Sequence, residues 1–225
     1  MTVLISGGDS FTAGTELPSP EHAWPALLAE RKQWNHCATA KPGNSNSAIR
    51  RTVMNAIHKY KSEDLYVAVM WSFPNRYEFR FAYDTGQRDS PWYNINPFTP
   101  PEFTQQSHKT NADQRGISDF IDSYVKNVAI ASYWELYTSW SEIVFLQSYL
   151  ENLDIPYTFM HVDNSLFVCD DLDQTLRTLR ETIHWFAHDE GMYNWAKRTE
   201  QPFYTTHPRE SAHIEWINML YDRIT

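Results

Sequence analysis

Cysteine is scarce: Cys37 and Cys169 are the only two in 225 residues. Their spacing supplies neither a metal-binding pair nor a disulfide framework. Both lie in apolar stretches, which predicts buried free thiols. Basic runs are missing as well, and 19 Lys and Arg against 28 Asp and Glu leave a net charge of −9. That balance argues against nucleic acid as a partner. The acidic residues are scattered rather than blocked, as on a solvated surface. No apolar run approaches the ~20 residues of a membrane-spanning helix. Met1 leads into a short strand, not into a basic segment and an apolar core, so no signal peptide is read. The expectation is a soluble, cytoplasmic protein. Internal repeats and low-complexity tracts are absent. Aromatics are plentiful, at 15% with nine Trp and thirteen Tyr, enough to pack a core, form an interface or line a cleft. The length suits one domain, 1–225, with a sizeable core.

Strand-like and helix-like segments alternate, which favours a parallel sheet with helices on both faces. Strands are expected at Thr2–Ile5, Asn35–Ala38, Leu65–Trp71 and Ile155–Val162. Leu65–Trp71 is continuously apolar, as a central strand buried on both faces should be. Helices are expected at His22–Arg31, Asn46–Tyr60, Ile117–Ala129, Tyr133–Asn152, Leu172–Ala187 and Arg209–Arg223. In the second of these, Ile49, Val53, Ala56 and Ile57 recur at helical spacing. Between about 83 and 115 the pattern breaks into an irregular insertion with four prolines, Trp92, Tyr93 and Phe98. It reads either as a lid or as packing and interface material.

The first strand runs into Gly7-Gly8-Asp9-Ser10-Phe11-Thr12-Ala13-Gly14. A glycine-rich turn after a strand lies at the carboxyl edge of a sheet, where open α/β folds keep their chemistry. A serine there can attack a carbonyl while its own N–H helps hold the oxyanion. Helix capping by Asp9 or Ser10 is the plainer use of the same turn. Gly8-Asp9-Ser10 followed by Gly14 resembles the first block of the SGNH (GDSL-type) hydrolases. Trp24-Pro25-Ala26-Leu27-Leu28, then a strand, then Gly43-Asn44-Ser45-Asn46 before a helix is similar to a subgroup of that family common in phage genomes.

The resemblance implies a three-layer α/β/α, flavodoxin-like fold around a central parallel sheet. It implies ester hydrolysis through an acyl-enzyme on Ser10, without a cofactor. Gly43 matches the glycine whose N–H is the second oxyanion donor. The family's third block places an asparagine after the central strand. In Trp71-Ser72-Phe73-Pro74-Asn75-Arg76 the nearest is Asn75, one residue late, with Ser72 or a backbone amide as alternatives. Arg76 forms either an exposed pair with Glu78 or a contact to an anionic substrate group. The last block, Asp-x-x-His-Pro, is matched by His207-Pro208, which makes His207 the general base. Tyr204 stands where the acid belongs, so a carbonyl, a hydroxyl or a remote carboxylate, Asp163 among the first candidates, must orient the ring. His213 reads as a packing or surface histidine. His161 and Asp163 end a strand but have no further spaced ligands, so no metal is expected. The expected partner is a small-molecule or glycan ester, an O-acetylated glycan in a phage or virion setting. The alternatives are a catalytically impaired binding module and an acyltransferase.

Overall fold

The computed structural model describes residues 1–80, 92–96, 117–129, 131–169, 172–185, 190–222 and 224. Among them, β1 (Val3–Gly7), β2 (Asn35–Ala38), β3 (Leu65–Trp71) and β6 (Tyr157–His161) form one sheet in the order β2-β1-β3-β6. All of its pairings are parallel. β4 (Tyr77–Arg80) and β5 (Trp92–Ile95) form a separate antiparallel pair.

Side chains alternate across a strand, so the central strands must be apolar throughout. Val3 and Ile5 of β1, Val67, Val69 and Trp71 of β3 and Phe159 of β6 face one layer of helices. That layer comprises α3 (Asn46–Lys59), α5 (Ser132–Asn152) and α6 (Gln174–Thr182). Leu4, Tyr66, Ala68, Met70 and Met160 face the other, made of α2 (Trp24–Lys32), α7 (Met192–Arg198) and α8 (Glu210–Tyr221). The architecture is the expected three-layer α/β/α. No described helix is long and apolar enough to cross a membrane.

Element by element, the expected positions shift by a few residues. Proline at its first turn starts α2 at Trp24, and a short 3₁₀ turn, Pro20–His22, precedes it. The stretch Ile117–Ala129 divides into α4 (Ile117–Tyr124) and a π-helical turn, Val125–Ala129. α6 ends at Thr182, short of the expected Ala187, which lies outside the described residues. α7 was not anticipated, since seven residues are too few to display a helical period. Of the 83–115 insertion only 92–96 is described, and Trp92–Ile95 is a regular strand rather than irregular chain. Its Ile95 packs with Tyr77, Phe79, Tyr124 and Trp134 into a small separate cluster. Cys37 and Cys169 are half-buried, not fully buried.

Candidate active site

The carboxyl ends of β1 and β3 converge on the Gly-Gly-Asp-Ser turn. Gly8 has no room for a side chain: a Cβ would fall 2.0 Å from Thr12 Oγ1 and 3.1 Å from the Met70 carbonyl. Asp9 then caps α1 (Ser10–Ala13), accepting at 3.0 Å from the Phe11 N–H. Capping is thus the work of Asp9, and Ser10 is left to open the helix, its N–H one of the orphan donors of a first turn. Ser10 is 8% exposed, and its hydroxyl has no hydrogen-bond partner among the described residues.

The turn is locked from three sides. Asp9, fully buried, accepts from Ser72 Oγ at 2.7 Å and from Arg76 Nη1 at 2.8 Å. Arg76 therefore does not pair with Glu78, which binds Arg51 instead. A buried carboxylate without its cation would cost several kcal/mol, so Arg76 holds the turn as much as it lines the cavity behind it. Asn44 Nδ2 donates to the Gly8 carbonyl at 3.0 Å, which brings the Lys41–Asn44 loop and Gly43 alongside. Gly43 is exposed and left-handed (φ 78°), a conformation that favours glycine even though a Cβ would meet nothing there. Ser45 caps α3 through the Ala48 N–H. Asn46 is a clamp: Oδ1 accepts from Ser72 N at 2.8 Å, and Nδ2 donates to Ser139 Oγ and to the Ser72 carbonyl.

These bonds bear on the third oxyanion donor. Ser72 commits its hydroxyl to Asp9 and its N–H to Asn46. Asn75, in the turn after β3, has no hydrogen-bond partner among the described residues, and no bond ties it to Ser10. A cavity of about 220 Å³ opens beside Arg76, lined also by Asn46, Tyr77, Tyr124, Trp134 and Glu142. A larger cleft, about 650 Å³, lies at the opposite end of β6 and contains none of these residues.

His207 comes to this edge on the loop before α8, its ring packed on Phe11 with centroids 4.8 Å apart. It makes no hydrogen bond to Ser10, and its Nε2 is unpartnered among the described residues. Catalytic hydrogen bonds are often long before substrate binds. Nδ1 lies 2.8 Å from Thr206 Oγ1 and 3.2 Å from Glu16 Oε2. The same Glu16 oxygen accepts from the Thr206 N–H at 3.0 Å and the His207 N–H at 2.9 Å. These amides and the His207 ring hold the Glu16 carboxyl down at about 2. Sequence reasoning did not name this residue: it left a carbonyl, a hydroxyl or a remote carboxylate open, with Asp163 among the first candidates. The available signal was that Glu16 is the only acid between Asp9 and Glu21, just past the serine turn.

The other sequence candidates fall elsewhere. Tyr204 turns its hydroxyl to Glu210 at 2.9 Å and its N–H to the His207 carbonyl. Asp163 caps the 3₁₀ turn Asn164–Leu166 through the Ser165 N–H and does not touch His207. His213, 1% exposed, accepts the Trp24 N–H at 3.1 Å, and burial pushes it down to about 4. His161 is equally buried, against Phe167 and Trp185. Among the described residues no cluster of three or more potential metal ligands occurs.

Comparisons with known proteins agree with this architecture. The sequence model of a Family of unknown function (DUF6071) matches residues 12–188, a span that starts after Ser10 and ends before His207. No curated protein matches. A psychrotrophic esterase EstA from Pseudoalteromonas sp., solved with monoethylphosphonate as inhibitor, superposes with TM-score 0.53 at 13% identity, covering 98% of this chain and 94% of that one. A carbohydrate esterase family 2 enzyme with its carbohydrate-binding domain, from Corynascus thermopiles (Myceliophthora fergusii), gives 0.50 at 11% identity, over 99% of this chain and 65% of the other. A member of the lipolytic G-D-S-L family from Veillonella parvula DSM 2008 gives 0.47 at 13% identity, over 99% and 97%. At these identities the likeness is one of fold.

Proposed function

We propose that this chain, which belongs to the Family of unknown function DUF6071, is a serine hydrolase that cleaves a carboxylic ester through an acyl-enzyme. One observation carries the reading. Ser10 opens a helix at the carboxyl edge of the sheet with its hydroxyl unpaired, and His207, its Nε2 unpaired, packs against the next residue in the chain.

In the proposed reaction, Ser10 Oγ attacks the ester carbonyl and His207 Nε2 takes its proton. The oxyanion is held by the N–H groups of Ser10 and Gly43. The third donor is assigned to Asn75, since Ser72 has no donor to spare. His207 returns the proton to the departing alkoxide, which leaves as the alcohol. It then deprotonates the water that attacks the acyl-enzyme, releasing the carboxylic acid and free Ser10. No cofactor enters any step. The resemblance of Trp24–Leu28 and Gly43–Asn46 to a phage-encoded subgroup supports an O-acetylated glycan as substrate.

A fluorophosphonate probe tests the reading. Labelling of the wild type that is lost in Ser10→Ala and in His207→Ala is expected, together with hydrolysis of short p-nitrophenyl esters. A folded wild type that neither labels nor turns over any ester would reduce the chain to a binding module. Ester loss that appears only with an acceptor alcohol would make it an acyltransferase.

A further inference from the structure

We infer that Glu16 is the carboxylate that orients His207, so that the catalytic set runs Ser10, Glu16, His207 in chain order, with the acid supplied by the serine's own turn. The inference rests on the Ser10–His207 reading. A general base needs one ring nitrogen fixed as a donor so that the other keeps its lone pair toward the nucleophile. Here Glu16 Oε2 faces Nδ1 at 3.2 Å. A carboxylate accepts only, so Nδ1 carries the proton and Nε2 is the basic nitrogen. Thr206 Oγ1, 2.8 Å from Nδ1, accepts the same proton.

The carboxylate also fixes where the ring sits. Its Oε2 takes two consecutive backbone N–H groups, Thr206 and His207, and clips the histidine loop to the serine turn across 190 residues of chain. Glu16 lies at the surface, and its backbone is left-handed (φ 70°), a strained state for a residue with a Cβ. The vacated position of the acid in the last block agrees: Tyr204 is engaged with Glu210, and Arg209 stacks over its ring at 4.7 Å. Of the charged and titratable groups around the loop, Glu16, Glu210, Arg209 and His213, only Glu16 touches the imidazole.

Glu16→Gln separates orientation from anchoring. The amide oxygen can still accept from both backbone N–H groups, so the loop stays in place, but the charge beside Nδ1 is gone. The expected result is a fall in kcat on the order of 10²–10⁴-fold with KM little changed. Glu16→Asp, which keeps the charge one methylene short, should recover part of the rate. Nitrogen-15 spectra of the His207 ring read the same point without activity: the wild type should show the Nδ1–H tautomer and Glu16→Gln a mixture. A Glu16→Gln protein with wild-type kcat and tautomer would overturn the assignment. A tautomer change in a protein with no esterase activity would uphold Glu16 and overturn the hydrolase reading instead.

Discussion

Two buried histidines should make this fold acid-sensitive in a window well above the usual carboxylate range. His161 and His213 are each 1% exposed, and burial pushes both down to about 4 from an ordinary 6.5. Asn164 and Asp163 oppose the shift at His161, but neither closes a hydrogen bond on the ring, and both its nitrogens are unpartnered. Because the folded-state values lie below the unfolded ones, each neutral ring contributes its full stability above pH 6.5. That contribution falls as the pH drops from 6.5 to 4, where the unfolded chain takes up protons and the folded one does not. At pH 4.5 each histidine should have lost roughly 2–3 kcal/mol of stability, and the pair about twice that. Against a total of roughly 5–15 kcal/mol that is a large fraction. His36, also pushed down by burial, adds in the same direction, while Glu135, pushed up by burial, works against it. Urea unfolding followed by tryptophan fluorescence at several pH values between 7 and 4.5 measures the effect. His161→Phe removes the two unpaired nitrogens and should flatten the pH dependence by roughly 2–3 kcal/mol. His213→Gln keeps an acceptor for the Trp24 N–H and should flatten it by a similar amount. If wild type and both variants lose stability in parallel between pH 6.5 and 4.5, these rings are not what titrates.

Other consequences are simpler to read. Asn46→Ala removes the clamp joining α3, Ser72 and Ser139 and leaves a buried N–H on Ser72 unpaired, so unfolding should cost about 2–3 kcal/mol less, measured by urea denaturation at pH 7. His207→Ala should abolish ester turnover with little loss of stability, whereas His213→Gln should keep most of its turnover; equal losses of kcat would dissolve the distinction between them. Tyr204→Asp restores the acid of the family's last block at a position whose side chain faces Glu210, so the pH–rate profile should stay where it is. An upward move of its acid limb would mean that the loop can turn that residue toward His207.

How much of this could be read in advance depends on the range of the interaction behind each feature. β3 was legible because a strand buried on both faces must be apolar throughout, and Leu65–Trp71 is. β2 and α3 were legible from local pattern. The hairpin of β4 and β5 was hidden because its strands are short and their pairing spans the interval that breaks the pattern. The partner of Arg76 was hidden for a similar reason. Proximity in sequence favoured Glu78, but folding brings Asp9 across from β1 and gives Glu78 to Arg51.

The acid was the hardest feature to find, and the reason is geometric. In the resembled family the carboxylate and the histidine share one loop, so a short motif records both. Here they sit 191 residues apart, and only the closure of the sheet joins them. The local sequence around His207 therefore read as a catalytic loop with a part missing. Yet a parallel sheet that brings the first and last blocks to one edge makes every acid just beyond the serine turn a neighbour of the histidine loop. The chain has one such acid. Its carboxylate serves the two loop amides and the ring nitrogen through a single oxygen. On the proposed reading the missing Asp at position 204 is replaced rather than lost: the negative charge beside the imidazole comes from Glu16, at the opposite end of the chain.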